Sequence, residues 1–443
     1  MINLFTAIDM PVSRSLSGIT SIRCDINFGL PWPIDLLSKQ IVEKSLRILG
    51  IVNLPWDPRL GAARVWLELS EQWKKAGQKI DKFCLSDAFP KPTRSRALSA
   101  WRQAVFPYRA ARHVRRHAGK YDVIDCLIGT LPFSKKSLGF DGLLVGRSIG
   151  LYLAYDEFIR FSRRQWPDQP RGKFLGRLFY TFTSWLLRRH ADRAVVHCDL
   201  LNVPNEEEKR SLEQCSTSAQ VIVLPYGLNE TERAGLADAA RSASERLARK
   251  EICFLGMWSV RKGSRDWPET VRGILDSVPS ARFAFLGTMT DEQTVLHDLR
   301  ISSNESIRCL TSYDPKELPH LIASCAVGLF PSYIEGFGLS VLEQLACGIP
   351  TIAYDVPGPR HILNTSAAEL LVPVGNVNAM TDRALEILRM NESDYSALSG
   401  KCRQIAQQFR WEQIASDTIR EYTIALARQK SGNHARTAQT VSV

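Results

Sequence analysis

CAVGLFPSYIEGFGLSVLEQLACGIPTIAYDV, running from Cys325 to Val356, joins two apolar runs through a glycine-bearing loop and a helix. The apolar run CAVGLFPS delivers the chain to a short loop, Glu335-Gly336-Phe337-Gly338. A helix follows and stops at Gly348, with Pro350 beyond it, and a second apolar run, PTIAYDV, begins at once. Strand, glycine loop, helix and strand form the repeating unit of an open parallel sheet, since parallel neighbours need a crossover between them. The two glycines let backbone amides approach a ligand with no Cβ in the way. The helix start adds N–H groups and a partial positive charge, an anion site suited to a diphosphate.

Glu343 falls in or just after the first turn, on the face of Leu339, and about 6 Å along the axis from that anion site. That is close to a phosphate-to-ribose separation, so its carboxylate is placed to accept from both ribose hydroxyls, as the acidic residue of dinucleotide folds does. Glu335, ahead of the glycines, is placed to hold hydroxyls of whatever lies beyond the phosphates. Two glutamates eight apart are ordinarily solvated helix residues. Their position between strand, glycine loop and helix favours the binding role.

Outward from this unit the alternation continues. From Glu251 the runs ICFLGMW, ARFAFLG, SIRCLTS and AELLVPV join the two already named, with helical stretches between. The earlier runs SLRILGIVNL, KIDKFCL, YDVIDCLIG, GLLVGRSIG, ADRAVVHC and AQVIVLPYG repeat the pattern. The expected fold is α/β, two Rossmann-like doubly wound parallel-sheet domains facing a cleft. Residues 44–228 form the first domain, 229–250 an Ala- and Ser-rich linker, and 251–428 the second domain with a terminal amphipathic helix. Residues 1–43 read as a loosely ordered extension without a signal-peptide pattern, and 429–443 as a polar, disordered tail. A chain of 443 residues fits two such cores.

A second constellation, FLGMWSVRKGSRDWPE, begins at Phe254. A strand ends at Gly256, and Arg261-Lys262-Gly263 follow before a helix. Two adjacent cations at a strand's carboxyl end can neutralise a diphosphate as it leaves.

Composition narrows the partners. The chain is 44% hydrophobic and 23% charged, as expected of a packed protein. Its net charge of +11 is uneven: residues 1–250 hold 39 Lys and Arg against 25 Asp and Glu, and residues 251–443 hold 18 against 21. The excess gathers in Arg109, Arg112, Arg115 and Arg116, then Arg160, Arg163, Arg164, Arg171, Lys173 and Arg177. An anionic membrane, a phosphorylated lipid or a simply solvated basic face fits this half. Nucleic acid is not expected, because no zinc-finger, RRM, KH or helix-turn-helix pattern accompanies the charge. The ten cysteines are dispersed singly, without CxxC pairs, so neither zinc nor a disulfide framework is expected. The chain has no apolar run near the ~20 residues of a spanning helix, which leaves peripheral membrane contact and a cytoplasmic location as the expectation.

FLGMWSVRKG and EGFGLSVLEQLACGIPTIAYDVPGPRHIL together resemble the donor-binding signature of glycosyltransferase family 4, retaining enzymes of GT-B fold. The resemblance extends over residues 44–425 through LGAAR, YDVIDCLIG, ADRAVVH and VIVLPYGLN. It implies that Glu335 contacts donor-sugar hydroxyls, and that Gly256, Gly336, Phe337, Gly338, Leu339 and Ser340 line the sugar and diphosphate largely through backbone groups. Glu343 would bind the ribose and Lys262, with Arg261, the diphosphate, while Gly61 lies near the sugar and acceptor. Two positions depart from the pattern: Met257 stands where many members have Arg, and Ile149 where many have His.

The expected activity is retaining transfer of a sugar from a nucleotide-diphosphate sugar to a glycan or lipid-linked acceptor, in cell-surface polysaccharide or glycolipid synthesis. No D-x-D motif occurs, so no metal and no further cofactor is expected, and the departing phosphate is the proton acceptor in place of a protein base. A nucleotide-sugar epimerase or hydrolase of the same fold, or a silent binding protein, are the alternatives. His113, His117, His190 and His197 show no ligand spacing, and Trp166, Trp185 and Trp258 read as core or interface residues.

Overall fold

The computed structural model describes residues 45–440 apart from 59, 94, 151, 168–173, 216, 302–304 and 365. The expected extension 1–43 and the basic residues Arg171 and Lys173 lie outside the described residues.

The first sheet comprises β1 (Arg47–Val52), β2 (Lys79–Cys84), β3 (Val123–Leu127), β4 (Leu143–Arg147), β5 (Leu200–Val203) and β6 (Gln220–Val223), ordered β2-β1-β3-β4-β5-β6. The second comprises β7 (Glu251–Leu255), β8 (Arg282–Leu286), β9 (Ile307–Leu310), β10 (Cys325–Phe330), β11 (Thr351–Tyr354) and β12 (Leu371–Val372), ordered β12-β11-β10-β7-β8-β9. Every pairing in both sheets is parallel. All six residues of β10 and all five of β7 are buried, as strands sandwiched between two helical layers must be. In the second sheet the chain steps outward from β7 in one direction and from β10 in the other. The crevice beyond their carboxyl ends is therefore the topological switch point.

One hydrophobic cluster runs without a break from the inner face of the first sheet into the second domain, joining Trp66 and Trp73 to Trp411 and Tyr422. A separate cluster, including Phe106, Val114, Ile124 and Leu201, covers the other face of the first sheet.

Four readings of the sequence change. ADRAVVHC is not a strand: it closes the helix Phe174–His197, and the strand is the next segment, Leu200–Val203. His190, Ala194, Val195 and Cys198 are buried at helical spacing, and that period prevails over the β-branched pair. The linker is two helices, Glu230–Ala239 and Ala243–Arg249, bound to the second domain. There the buried Arg246 donates to the carbonyls of Ala323 (3.0 Å), Cys347 (2.8 Å) and Gly348 (3.0 Å). The terminal helix runs from Trp411 to Thr440, through the segment expected to be disordered.

That helix also leaves the second domain and docks on the first. Trp73 Nε1 donates to the Ala415 carbonyl at 3.2 Å, and Tyr422 joins the fully buried Arg147–Asp125 pair. The chain thus crosses between domains twice, after Leu228 and after Arg410. The crossings are bonded to each other: Leu228 N–H donates to Phe409 O at 3.0 Å and Trp411 N–H to Leu228 O at 3.3 Å. Gly227 makes this possible, since a Cβ there would stand 2.6 Å from Phe409 O.

Candidate functional site

The loops leaving β7 and β10 meet at the switch point. After Gly256 (φ +140°) the chain buries Trp258 against Phe254 and Phe285, makes one turn over Val260–Lys262 and reverses at Gly263 (φ +79°). A Cβ on Gly263 would lie 2.4 Å from Pro331 O, so this loop abuts the chain leaving β10 only because it carries glycine. Tyr333 N–H donates to Arg261 O at 2.9 Å, and Arg261 Nη1 to Ile334 O at 3.1 Å.

This brings Lys262 and Glu335, 73 residues apart, into direct hydrogen-bonded contact, with Arg261 Nη1 3.6 Å from the same carboxylate oxygen. Burial, working against the pull of Glu335, brings Lys262 down to about 8. Burial alone would raise the Glu335 carboxyl, but Lys262 and Arg261 hold it below the ordinary carboxylate range. At neutral pH the site therefore holds a charged pair whose lysine is poorly solvated and would gain from an incoming anion.

Gly338 (φ +97°) turns the chain into the helix Leu339–Ala346, whose start has no side-chain cap. Leu339 and Ser340 form its first turn. Gly336 sits where the first domain presses in: a Cβ would stand 2.7 Å from Ile149 O and 2.9 Å from Gly150 Cα, and Asn205 Nδ2 donates to Gly336 O at 2.7 Å. The Phe337 ring packs against Tyr226 (5.5 Å) and Phe409 (5.6 Å), so this residue has only backbone to offer a ligand.

Glu343, on the next turn, is buried and engaged from the other domain by Arg64 Nη1 at 2.6 Å; Arg64 Nη2 holds Glu232 at 2.8 Å. Burial pushes the Glu343 carboxyl up, and Arg64 offsets this only in part. Arg64 lies in the first turn of the helix Gly61–Lys75, which Gly61 opens. Among the described residues, nothing lies within 4 Å of a Cβ added at Gly61.

Arg64, Asn205 and Tyr155 escaped the sequence reading. Tyr155 lies under the Arg261 guanidinium, 5.7 Å from ring to Arg261 Cζ, and beside Gly150. Burial raises its phenol, which therefore remains a proton donor. Tyr333 donates to the buried Asp266 at 3.0 Å and is flanked by Trp166 (5.3 Å) and Phe161 (5.5 Å) from the first domain. The order SYIEG around Tyr333 marks a loop; nothing in it tells which aromatic residues will close over it.

A cavity of about 1020 Å³ opens between the domains, lined by Trp56, Asp57 and Lys82 on one side and by Ser312, Tyr313 and Asp314 on the other. Neither Lys262 nor Glu335 lines it. Its link to the site is Tyr313, whose phenol feels the Glu343 and Arg64 charges. The chemistry of the pair, and not the size of the cavity, marks the candidate site.

Residues 249–390 match the family model described as glycosyl transferases group 1. O-antigen chain mannosyltransferase B of Escherichia coli is 30% identical over 118 residues, which are 27% of this chain and 30% of that protein. Phosphatidyl-myo-inositol mannosyltransferase of Mycobacterium leprae is 25% identical over 217 residues, 48% of this chain and 56% of the relative. The chain thus spans between about a third and just over half of these curated relatives. Among solved structures, sucrose-phosphate synthase from Thermosynechococcus elongatus superposes with a TM-score of 0.64 at 18% identity, covering 86% of this chain and 100% of that one. Anabaena HepE in complex with UDP and glucose gives 0.59 at 13%, covering 85% and 99%. At such identities the likeness speaks for the fold, which is GT-B. Residues 249–390 of the second domain match the group 1 glycosyl transferases, and the chain has the GT-B fold.

Proposed function

We propose that the protein transfers a sugar from a nucleotide-diphosphate sugar to a glycan or lipid-linked acceptor, with retention at the anomeric carbon, in polysaccharide or glycolipid synthesis at the inner face of the cell membrane. The observation that carries this reading is the Lys262–Glu335 contact at the switch point, one helix start away from Glu343. Arg261, Lys262 and the amides opening the Leu339–Ala346 helix would neutralise the diphosphate as the sugar–oxygen bond breaks. Glu343 would hold the ribose, exchanging Arg64 for its hydroxyls, and Glu335 the sugar hydroxyls. The acceptor hydroxyl attacks from the face that the diphosphate leaves, and its proton passes to a departing phosphate oxygen. Atoms and charge then balance without a protein base, and the rate comes from positioning and electrostatics. Gly61 would lie on the acceptor side, and no metal or further cofactor has a part in this scheme.

The test is nucleotide release from a panel of nucleotide sugars, with a membrane extract as acceptor source. Acceptor-dependent release with one donor is expected, falling by at least about 100-fold in Lys262→Ala and Glu335→Ala. Full release in both variants removes the site, and release without acceptor supports the hydrolase or epimerase reading instead. The anomeric configuration of the product, read by NMR, tests retention.

A further inference from the structure

Two adjacent helices cover the outer face of the first sheet, Arg96–His117 and Phe174–His197. Both bury their inner sides in the same cluster, and Tyr108 meets His190 edge-on at 5.9 Å. Their outer sides are not the polar surface that such helices normally show to water. Along the first, Leu98, Trp101 and Tyr108 are 40%, 47% and 54% exposed and, with half-buried Val105, form one stripe at spacings of three and four. The stripe continues into Arg112 and Arg115, and Arg102, Arg109 and Arg116 recur beside it at every seventh position. The helix holds six arginines and no acidic residue. On the second helix Phe182 and Trp185 are 59% and 52% exposed, stacked at 6.0 Å, with the Arg189 guanidinium 5.7 Å from the Trp185 ring. Six of the nine large apolar side chains exposed among the described residues lie on this helix pair, so they form a patch and are not scattered. Trp185, expected in a core or interface, is one of them.

We infer that this patch is where the protein docks on an anionic lipid surface, which gives the membrane contact of the proposed function a definite address and rests on that reading for its purpose only. Trp, Tyr and Phe rings settle at the boundary between headgroups and acyl chains, while arginines beside them reach anionic phosphates. A second copy of this chain would bring the same arginines against themselves. A nucleic acid strand has stacking use for the rings but none for Leu98 or for Val196, 53% exposed on the second helix.

The experiment is flotation of the full chain with vesicles of phosphatidylcholine alone or with about one-third phosphatidylglycerol. Wild type is expected to float with the anionic vesicles, less at high salt, and to stay behind with the neutral ones. Phe182→Ser with Trp185→Ser, and separately Trp101→Ser, are expected to lower partitioning by about tenfold or more with the melting temperature unchanged. Arg112→Ser with Arg115→Ser is expected to weaken it and flatten its salt dependence. Lys262→Ala should float as wild type does, which separates this surface from the transfer site. Equal flotation of wild type and the aromatic variants overturns the inference, as does failure of wild type to float. Capture of wild type, but not of the aromatic variants, by a single-stranded oligonucleotide that displaces vesicles reassigns the surface to nucleic acid.

Discussion

Arg64, in the first domain, donates to Glu343, in the second, across 2.6 Å, and the same guanidinium holds Glu232 at 2.8 Å. The carboxylate proposed to grip the donor's ribose is therefore already in use as a bond between domains. Removing Arg64 leaves Glu343 buried without its cation, which pushes its carboxyl further up. For Arg64→Ala we expect a stability loss of about 3 kcal/mol. Donor KM should rise below neutral pH as Glu343 takes up a proton, with kcat little changed. KM measured between pH 5.5 and pH 8 checks this, and a flat profile identical to wild type refutes it.

Lys262, near 8, sets the opposite limb. As pH rises through that value the lysine loses its charge, so donor affinity is expected to fall by about tenfold per unit once deprotonation is complete. Phosphates beside it raise its proton affinity, hence donor binding should take up a proton near pH 8. Calorimetry in two buffers of different ionisation enthalpy reads that uptake directly. For the unliganded chain the sign reverses. The unfolded lysine keeps its proton up to its ordinary value near 10.5 while the folded one releases it near 8, so stability should increase with pH between those values. Lys262→Arg should abolish both dependences.

At Gly336 the domains meet backbone to backbone. Gly336→Ala places a methyl group 2.7 Å from Ile149 O, which cannot yield as a flexible side-chain end would. The domains are expected to stay parted, with turnover down by about 100-fold and the melting of each domain preserved. Small-angle scattering should show a more extended molecule. An unchanged radius of gyration with full turnover would contradict this.

The terminal helix is fastened by a buried polar cluster. Arg147 Nη2 donates to Asp125 at 2.7 Å and is 3.0 Å from the Tyr422 hydroxyl, and Tyr422 bonds to Asp125 as well. Tyr422→Phe should cost about 1–2 kcal/mol in urea unfolding. Arg147→Ala should cost about 3–5 kcal/mol, because Asp125 is then buried and unpaired. Equal, negligible losses in both would mean that the helix is held by its apolar face alone.

Much of the second domain was legible because its signals are local. Apolar runs bounded by glycine gave β7, β10 and β11, and EGFG gave the loop and helix start around Glu335. What the sequence did not reveal depends on distant partners. Amphipathic spacing shows that residues 411–427 have a face to bury, but not that the face lies on the first domain. Arg64 looks like any first-turn arginine until the fold sets Glu343 opposite, and Tyr155 gives no sign that Arg261 will lie over it. In ADRAVVHC the β-branched pair resembles a strand, and only the longer period of buried residues from His190 to Cys198 reveals the helix.

Leu228 and Arg410 lie side by side where the chain passes between domains, each crossing hydrogen-bonded to the other. Two tethers joined this way behave as one hinge pin. A rigid swing about that pin would move Arg64 against Glu343, Ile149 against Gly336 and Trp56 against Tyr313 together, so a ligand held at one of these points would be expected to close all three.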